Sequence, residues 1–266
     1  MDCIDSIPLH DMHCHLDFAR QARDVANDAA EKGALIFANT VTPLGFIEAR
    51  KQLDECGNAK LGLGLHPWYI EHVGNLHQQL DLFDSEIANS SFVGEIGLDF
   101  SKKKIDSAEK QLEAFTHIAS TCGQVGGKLL SIHAIKSADK VLDILEDTGA
   151  IKTCDCIFHW FSGSNEQLWR AIKAGCYFSV GTFMAHSRRG REYIKLIPIE
   201  NLLLETDYPP TGDGATYDPA TNEPRVDLRF EQIREALKDA AAVVEERKGT
   251  EALFEIEAIA RRLLSR

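Results

Sequence analysis

Eight short apolar runs, separated by amphipathic stretches of helical length, constrain this chain more than any other feature of its sequence. The runs fall near 8–13 (PLHDMH), 34–39 (ALIFAN), 60–65 (KLGLGL), 92–96 (FVGEI), 128–132 (KLLSI), 156–159 (CIFH), 176–181 (CYFSVG) and 202–206 (LLLET). Between them lie helix-patterned stretches at 19–32, 44–56, 76–89, 108–123, 137–148, 165–174 and 187–196. Parallel strands cannot be joined by tight turns, so strand-length runs alternating with helices predict a parallel sheet built from crossovers. Eight such units in 266 residues predict an α/β chain folded as a (β/α)8 TIM barrel, with an open doubly wound sheet as the alternative. No low-complexity segment or linker divides the chain, so residues 1–266 are expected to form a single domain. After the last run, 208–226 is rich in Pro, Gly, Asp and Thr and is expected to be a long irregular loop, followed by helices over 227–247 and 250–264.

Composition narrows the function classes. The formal charge is −12, from 41 acidic and 29 basic residues, which argues against a protein that coats nucleic acid by bulk charge. No stretch of 18 apolar residues is present, so no transmembrane helix is expected. The start, Met1 to Ser6, is acidic and has no apolar core, so it does not read as a secretory signal. Seven cysteines with no CxxC pair suit reduced thiols, and the expected location is the cytoplasm.

The histidines and acids fall where a barrel would use them. His13 and His15 end the first run, and residues two apart in a strand share a face, so both imidazoles can meet one ion while Cys14 points away. Glu95 ends the fourth run, His133 follows the fifth, His159 ends the sixth and Asp207 follows the eighth. A closed parallel barrel brings all six to one mouth. A lone strand-end histidine is usually structural, but burying several ionisable groups together costs several kcal/mol per unpaired charge unless a cation compensates. Imidazole plus carboxylate suits Zn²⁺, Mn²⁺ or a similar divalent ion, and the lack of thiolates argues against a closed structural zinc site.

These residues also carry a resemblance. Asp11-Met-His13-Cys-His15-Leu-Asp17, Gly64-Leu-His66-Pro67-Trp68, Val93-Gly-Glu95-Ile-Gly97-Leu-Asp99, Ile132-His133, His159-Trp-Phe-Ser162-Gly163, Glu205-Thr-Asp207 and Asn222-Glu223-Pro224 resemble, in order, the motifs of the TatD family of metal-dependent deoxyribonucleases. LLSIHA, FHWFSGS and AGCYFSVGTF further resemble the TatD-like nuclease of Qat-type anti-phage systems. The resemblance implies a two-metal site, of Zn, Mn or Mg, with His13, His15 and Asp207 on one ion, His133 and His159 on the other, and Glu95 between them. It implies hydrolysis of DNA, as a 3′–5′ exonuclease on single strands. Asp207 would accept the attacking water's proton, and His66 would contact a phosphate or the leaving group. Glu205, two residues from Asp207, would support it or be a buried structural acid. The family often places an arginine two residues after the fifth-strand histidine, where this chain has Ile135 followed by Lys136; a lysine offers a point charge rather than a fork.

Candidate substrate contacts surround the expected mouth. Lys102 to Lys104, Lys136, Arg188, Arg189 and Arg191 follow strands, as do the aromatics Trp68, Tyr69, Trp160, Phe161 and Tyr208. Phosphate binding and base stacking need these two kinds of residue, while Trp160 and Phe161 equally suit a core that closes the barrel top. Two other functions fit the sequence: a metal-dependent amidohydrolase-type enzyme of small molecules, and an interaction subunit among the partner proteins of a defence complex, docked through the C-terminal helices. In the first, a carbamylated lysine often stands where this chain has Glu95.

Overall fold

The computed structural model describes residues 4, 7–70, 75–209 and 226–266. Among them, strands β1 (Asp11–Cys14), β2 (Ile36–Asn39), β3 (Ala59–Leu65), β4 (Phe92–Asp99), β5 (Leu129–Ile135), β6 (Asp155–His159), β7 (Tyr177–Val180) and β8 (Leu202–Leu204) pair in chain order. Every pairing is parallel. The helices are α1 (Ala22–Glu31), α2 (Pro43–Leu53), α3 (Leu76–Ile87), α4 (Ala108–Val125), α5 (Ala138–Asp147), α6 (Ala150–Thr153), α7 (Asn165–Lys173), α8 (Thr182–His186), α9 (Arg188–Leu196), α10 (Phe230–Lys248) and α11 (Glu251–Leu264). The expected (β/α)8 barrel is therefore present. It closes just beyond β8, where Asp207 N donates to His13 O at 2.8 Å and His15 N donates to Tyr208 O at 2.7 Å. The Asp11 carboxylate reinforces the seam by accepting from Thr206 N at 3.0 Å and from the Thr206 hydroxyl at 2.5 Å.

Strand parity sorts the side chains. Cys14, Ile132, Ala134 and Phe158 face the helices and join the main core, buried with Phe115, Leu142 and Ile233. Leu129 and Ile157 share the parity of His133 and His159, and with Phe37, Phe92 and Leu203 they fill the barrel below the histidines. Leu263 and Leu264 of α11 plug that lower end. Burying apolar groups there is worth about 25 cal/mol per Å², and it leaves the other end of the barrel to polar residues.

Three boundaries differ from expectation. β1 starts at Asp11 rather than at Pro8, because Leu9 packs in the outer core before the strand begins. β4 runs on to Asp99 through Gly97, whose φ of 135° only glycine tolerates and whose added Cβ would lie 2.1 Å from His133 O. The helix expected at 187–196 is preceded by the separate turn of α8, and the extended Ser187 caps α9 by accepting from Gly190 N at 2.8 Å. Most of the expected loop 208–226, with its Asn222-Glu223-Pro224 motif, lies outside the described residues. No helix among the described residues is long and apolar enough to cross a membrane.

Candidate metal centre

Glu95 sits at the centre of the barrel mouth, 2 % exposed, and its two oxygens face different histidines. Oε1 lies 2.7 Å from His159 Nε2, 2.8 Å from His133 Nδ1 and 3.1 Å from His66 Nε2. Oε2 lies 3.1 Å from His15 Nε2 and 3.4 Å from His13 Nε2. Asp207 approaches the second group, with Oδ1 3.6 Å from His15 Nε2 and 3.7 Å from His13 Nε2. All six residues expected at one mouth are there, joined by His66. The backbone explains how Glu95 gets so deep: its N–H donates to Thr40 O at 2.8 Å, across β3. Gly64 leaves the gap, since a Cβ at that position would stand 1.7 Å from Thr40 O.

Hydrogen bonds behind the cluster decide which nitrogen each ring offers. His15 Nδ1 donates to Asn39 O at 3.1 Å, and His13 Nδ1 meets the Ser131 hydroxyl at 2.7 Å. Both therefore aim Nε2 at the cluster. His133 is reversed: Nε2 faces Asp99 Oδ2 at 3.3 Å, leaving Nδ1 for the cluster. Asp99 also accepts from Trp68 Nε1 at 2.6 Å and from Ser101 N at 2.8 Å, so one buried carboxylate fixes a histidine and a mouth tryptophan together. His66 differs from the rest, because its Nδ1 accepts from Trp68 N at 3.0 Å. Its neutral ring then carries the proton on Nε2 and donates to Glu95.

The electrostatics are those of ionisable groups buried against one another. Burial opposes charge on Glu95, but His66, His159 and His13 hold it well below the usual carboxylate range. Burial drives His13 well down and His66 to about 4. His15 and His133 rise to about 9, because Glu95, with Asp17 and Asp207 or with Asp99, outweighs burial. Burial pushes Asp207 up and Glu205 well up. Convergent imidazole nitrogens and carboxylates, each ring oriented from behind, are the donor set that divalent Zn or Mn accepts. Three overlapping groups have donor atoms within 4.8 Å of one another: His13, His15 and Glu95; His13, His159 and Asp207; and His66, Glu95 and His133. The proton on His66 Nε2 makes His66 the poorest donor of the seven.

The cluster forms the floor of a cavity of about 440 Å³. Its walls include Phe18, Trp68, Tyr69, Ile135, Trp160 and Phe183. Trp68 and Trp160 are therefore where the sequence put them, and Ile135 lines the wall. Phe161 is buried instead, against Phe158, Phe178 and Tyr193. Lys136, Arg188 and Arg189 are exposed and are not among the lining residues. Arg189 donates to Ser162 O at 3.3 Å, and Lys104 lies over the Trp68 ring at 5.2 Å. Glu205 lies behind the site, accepting from Trp160 N at 3.0 Å and sharing a short hydrogen bond with Ser179, with Oε2 3.9 Å from His159 Nδ1. Lys136, Trp160 and Asp207, each just past a strand, adopt left-handed φ values of 55°, 40° and 55°, a strained conformation that turns the chain sharply at the rim. The sequence does not single out Asp99 and Ser131 as supports, although they stand in the quoted Glu95 motif and in LLSIHA, nor Phe183, the last residue of the quoted AGCYFSVGTF.

Comparison with known proteins agrees with this geometry. The chain is 26% identical over 222 residues to the human "Deoxyribonuclease TATDN3", covering 77% of this chain and 80% of that protein. It is 29% identical over 120 residues to the "3'-5' ssDNA/RNA exonuclease TatD" of Escherichia fergusonii, covering 44% of this chain and 45% of that one. The crystal structure of YJJV, a TatD homolog from Escherichia coli K12, superposes with a TM-score of 0.77 at 22% identity, over 97% of this chain and 98% of that one. The family profile described as "TatD related DNase" matches residues 10–252. The chain belongs to the TatD-related DNase family, a family of metal-dependent hydrolases.

Proposed function

We propose that this protein is a two-metal phosphodiesterase that degrades single-stranded DNA from its 3′ end. The observation that carries the proposal is Glu95, whose two oxygens face separate histidine groups, Oε2 toward His13 and His15 and Oε1 toward His133, His159 and His66, as a carboxylate shared between two cations would. His13, His15 and Asp207 would hold one divalent ion, Zn, Mn or Mg, and His133 and His159 the other. Bound ions would polarise the phosphoryl oxygen and lower the pKa of an attacking water.

The chain's own residues do the rest. Asn39 O, Ser131 and Asp99 hold the rings so that little reorganisation remains at the moment of reaction. Asp207 keeps 22% of its side chain exposed, while Glu95 keeps 3%, so Asp207 is the carboxylate that can meet a water and take its proton. His66 Nε2–H is the donor best placed to meet a phosphate or leaving oxygen. Lys136, Arg188 and Arg189 would contact phosphates farther along the strand, and Trp68 and Trp160 its bases. The name of the Escherichia fergusonii exonuclease supports the polarity and the single-stranded substrate. The resemblance of LLSIHA and AGCYFSVGTF to a Qat-type nuclease supports a role in anti-phage defence beside partner proteins; loss of protection on Glu95→Ala in a phage challenge would bear that role out.

The direct test is hydrolysis of a 5′-labelled single-stranded oligonucleotide by chelator-treated protein reloaded with Mg²⁺, Mn²⁺ or Zn²⁺. Laddered shortening from the 3′ end is expected. Intact oligonucleotide with all three ions would exclude the proposal.

A further inference from the structure

One part of the cavity wall has no task in handling a phosphate. Trp160 and Phe183 stand face to face, ring centroids 5.6 Å apart and planes 6° from parallel, yet they remain 39% and 63% exposed. Phe183 is the most exposed of the large apolar side chains among the described residues. Both line the cavity whose floor holds Glu95 and Asp207.

Their exposure is built in by the fold. Phe183 sits in α8, where the neighbouring Met184 and Ala185 are buried. The turn is tied to α10 by the Thr182 hydroxyl on Ala236 O at 3.2 Å and by His186 on the Asp239 carboxylate at 2.8 Å. Trp160 takes its strained φ of 40° directly after His159 and is held there by Glu205. The segment after Trp160 is also joined to α9, the helix that follows α8, by Arg189 on Ser162 O and by the Tyr193 hydroxyl on Gly163 O. A rigid pair of aromatic planes held open beside a hydrolytic centre has the form of a stacking platform.

We propose that Trp160 and Phe183 form a nucleobase subsite, on which one base next to the cleaved bond stacks while its phosphate lies at the Glu95 cluster. Phe183 is thereby a specificity-determining residue. This assignment rests on the chain being a phosphodiesterase. A flat π surface accepts any base, but only one freed from its duplex neighbour, so the subsite selects unpaired strands without selecting sequence.

Two measurements test it. The first compares kcat/KM on a single strand with that on the same strand carrying abasic residues at its three terminal positions. The natural protein should favour the base-bearing strand by roughly 5- to 150-fold. Phe183→Ala should slow the base-bearing strand and not the abasic one, so that the preference shrinks several-fold while Trp68 and Trp160 keep the remainder, and Phe183→Tyr should restore it. An unchanged preference in Phe183→Ala, or an equal loss on both strands, overturns the subsite. The second needs no cleavage: a strand ending in 2-aminopurine, added to metal-free protein, should lose fluorescence by stacking, and Phe183→Ala should lose much less. No quenching by the natural protein overturns the subsite. Quenching without hydrolysis under any of the three metals would leave the subsite standing and remove the phosphodiesterase.

Discussion

Gly64 is the position where one methyl group should disable the centre from behind. A Cβ there would lie 1.7 Å from Thr40 O and 2.7 Å from Glu95 N, whereas ordinary contact begins near 3.4 Å. In Gly64→Ala the backbones of β3 and the Thr40 segment must therefore part by about 1.7 Å, breaking the bond from Glu95 N to Thr40 O. Overpacking of this kind costs about 1–3 kcal/mol, and the lost buried hydrogen bond about 0.5–1.5 kcal/mol. The melting temperature should fall by roughly 3–18 °C. The functional loss should be larger, since a 1 Å misplacement of a reacting group costs about 100-fold and Glu95 meets five histidines at once. Gly57→Ala is the control, with nothing within 4 Å of its added Cβ. Melting temperature, bound metal and oligonucleotide cleavage should be measured on both. Gly64→Ala with all three unchanged would refute the claim that the Thr40 contact positions Glu95.

Three further outcomes are expected. Asp99→Ala removes the acceptor behind His133 and Trp68 and should weaken metal affinity about 10- to 100-fold in competition with a chromophoric chelator; unaltered affinity would show that His133 needs no support. His66→Gln should slow cleavage while metal content stays at the parental value, whereas His133→Ala should lose metal; equal metal loss in both would make His66 a ligand after all. At the far end of the barrel, burial raises Glu257 to about 8 and lowers His10 to about 4, so the pair is neutral near pH 7. For Glu257, whose folded pKa is raised, stability is full below about pH 4.5 and is lost as pH rises through about 8. Glu257→Gln should therefore gain melting temperature relative to the parent at pH 8.5 but not at pH 5, and an equal change at both pH values would contradict this.

The parts of the molecule readable from sequence are those that repeat or converge. Strand-length runs alternating with helices announce the barrel, and residues at equivalent strand ends, such as His13, His133 and Asp207, announce a shared mouth because every parallel strand points the same way. Features that depend on one contact are harder to read. Gly97, just past the run at 92–96, looks like the end of a strand by propensity, yet β4 runs through it because it fits against His133 O. Asp99 lies one turn of pleat beyond that apparent end, so its support of His133 was hidden with it. The five residues of α8 are too few to show a helical period, which concealed Phe183. The reach of Lys136 and Arg188 depends on side-chain direction, which a run of basic residues does not encode.

The central claim is that two cations share Glu95 and together hydrolyse a phosphodiester. It is tested most directly by elemental analysis of chelator-stripped, reloaded and desalted protein, beside cleavage of the same preparation and of Glu95→Ala. Two divalent ions per chain with activity that tracks their occupancy, and loss of both ions and activity in Glu95→Ala, is the predicted result. Cleavage that survives chelation, or a natural protein that retains no ion, would contradict it.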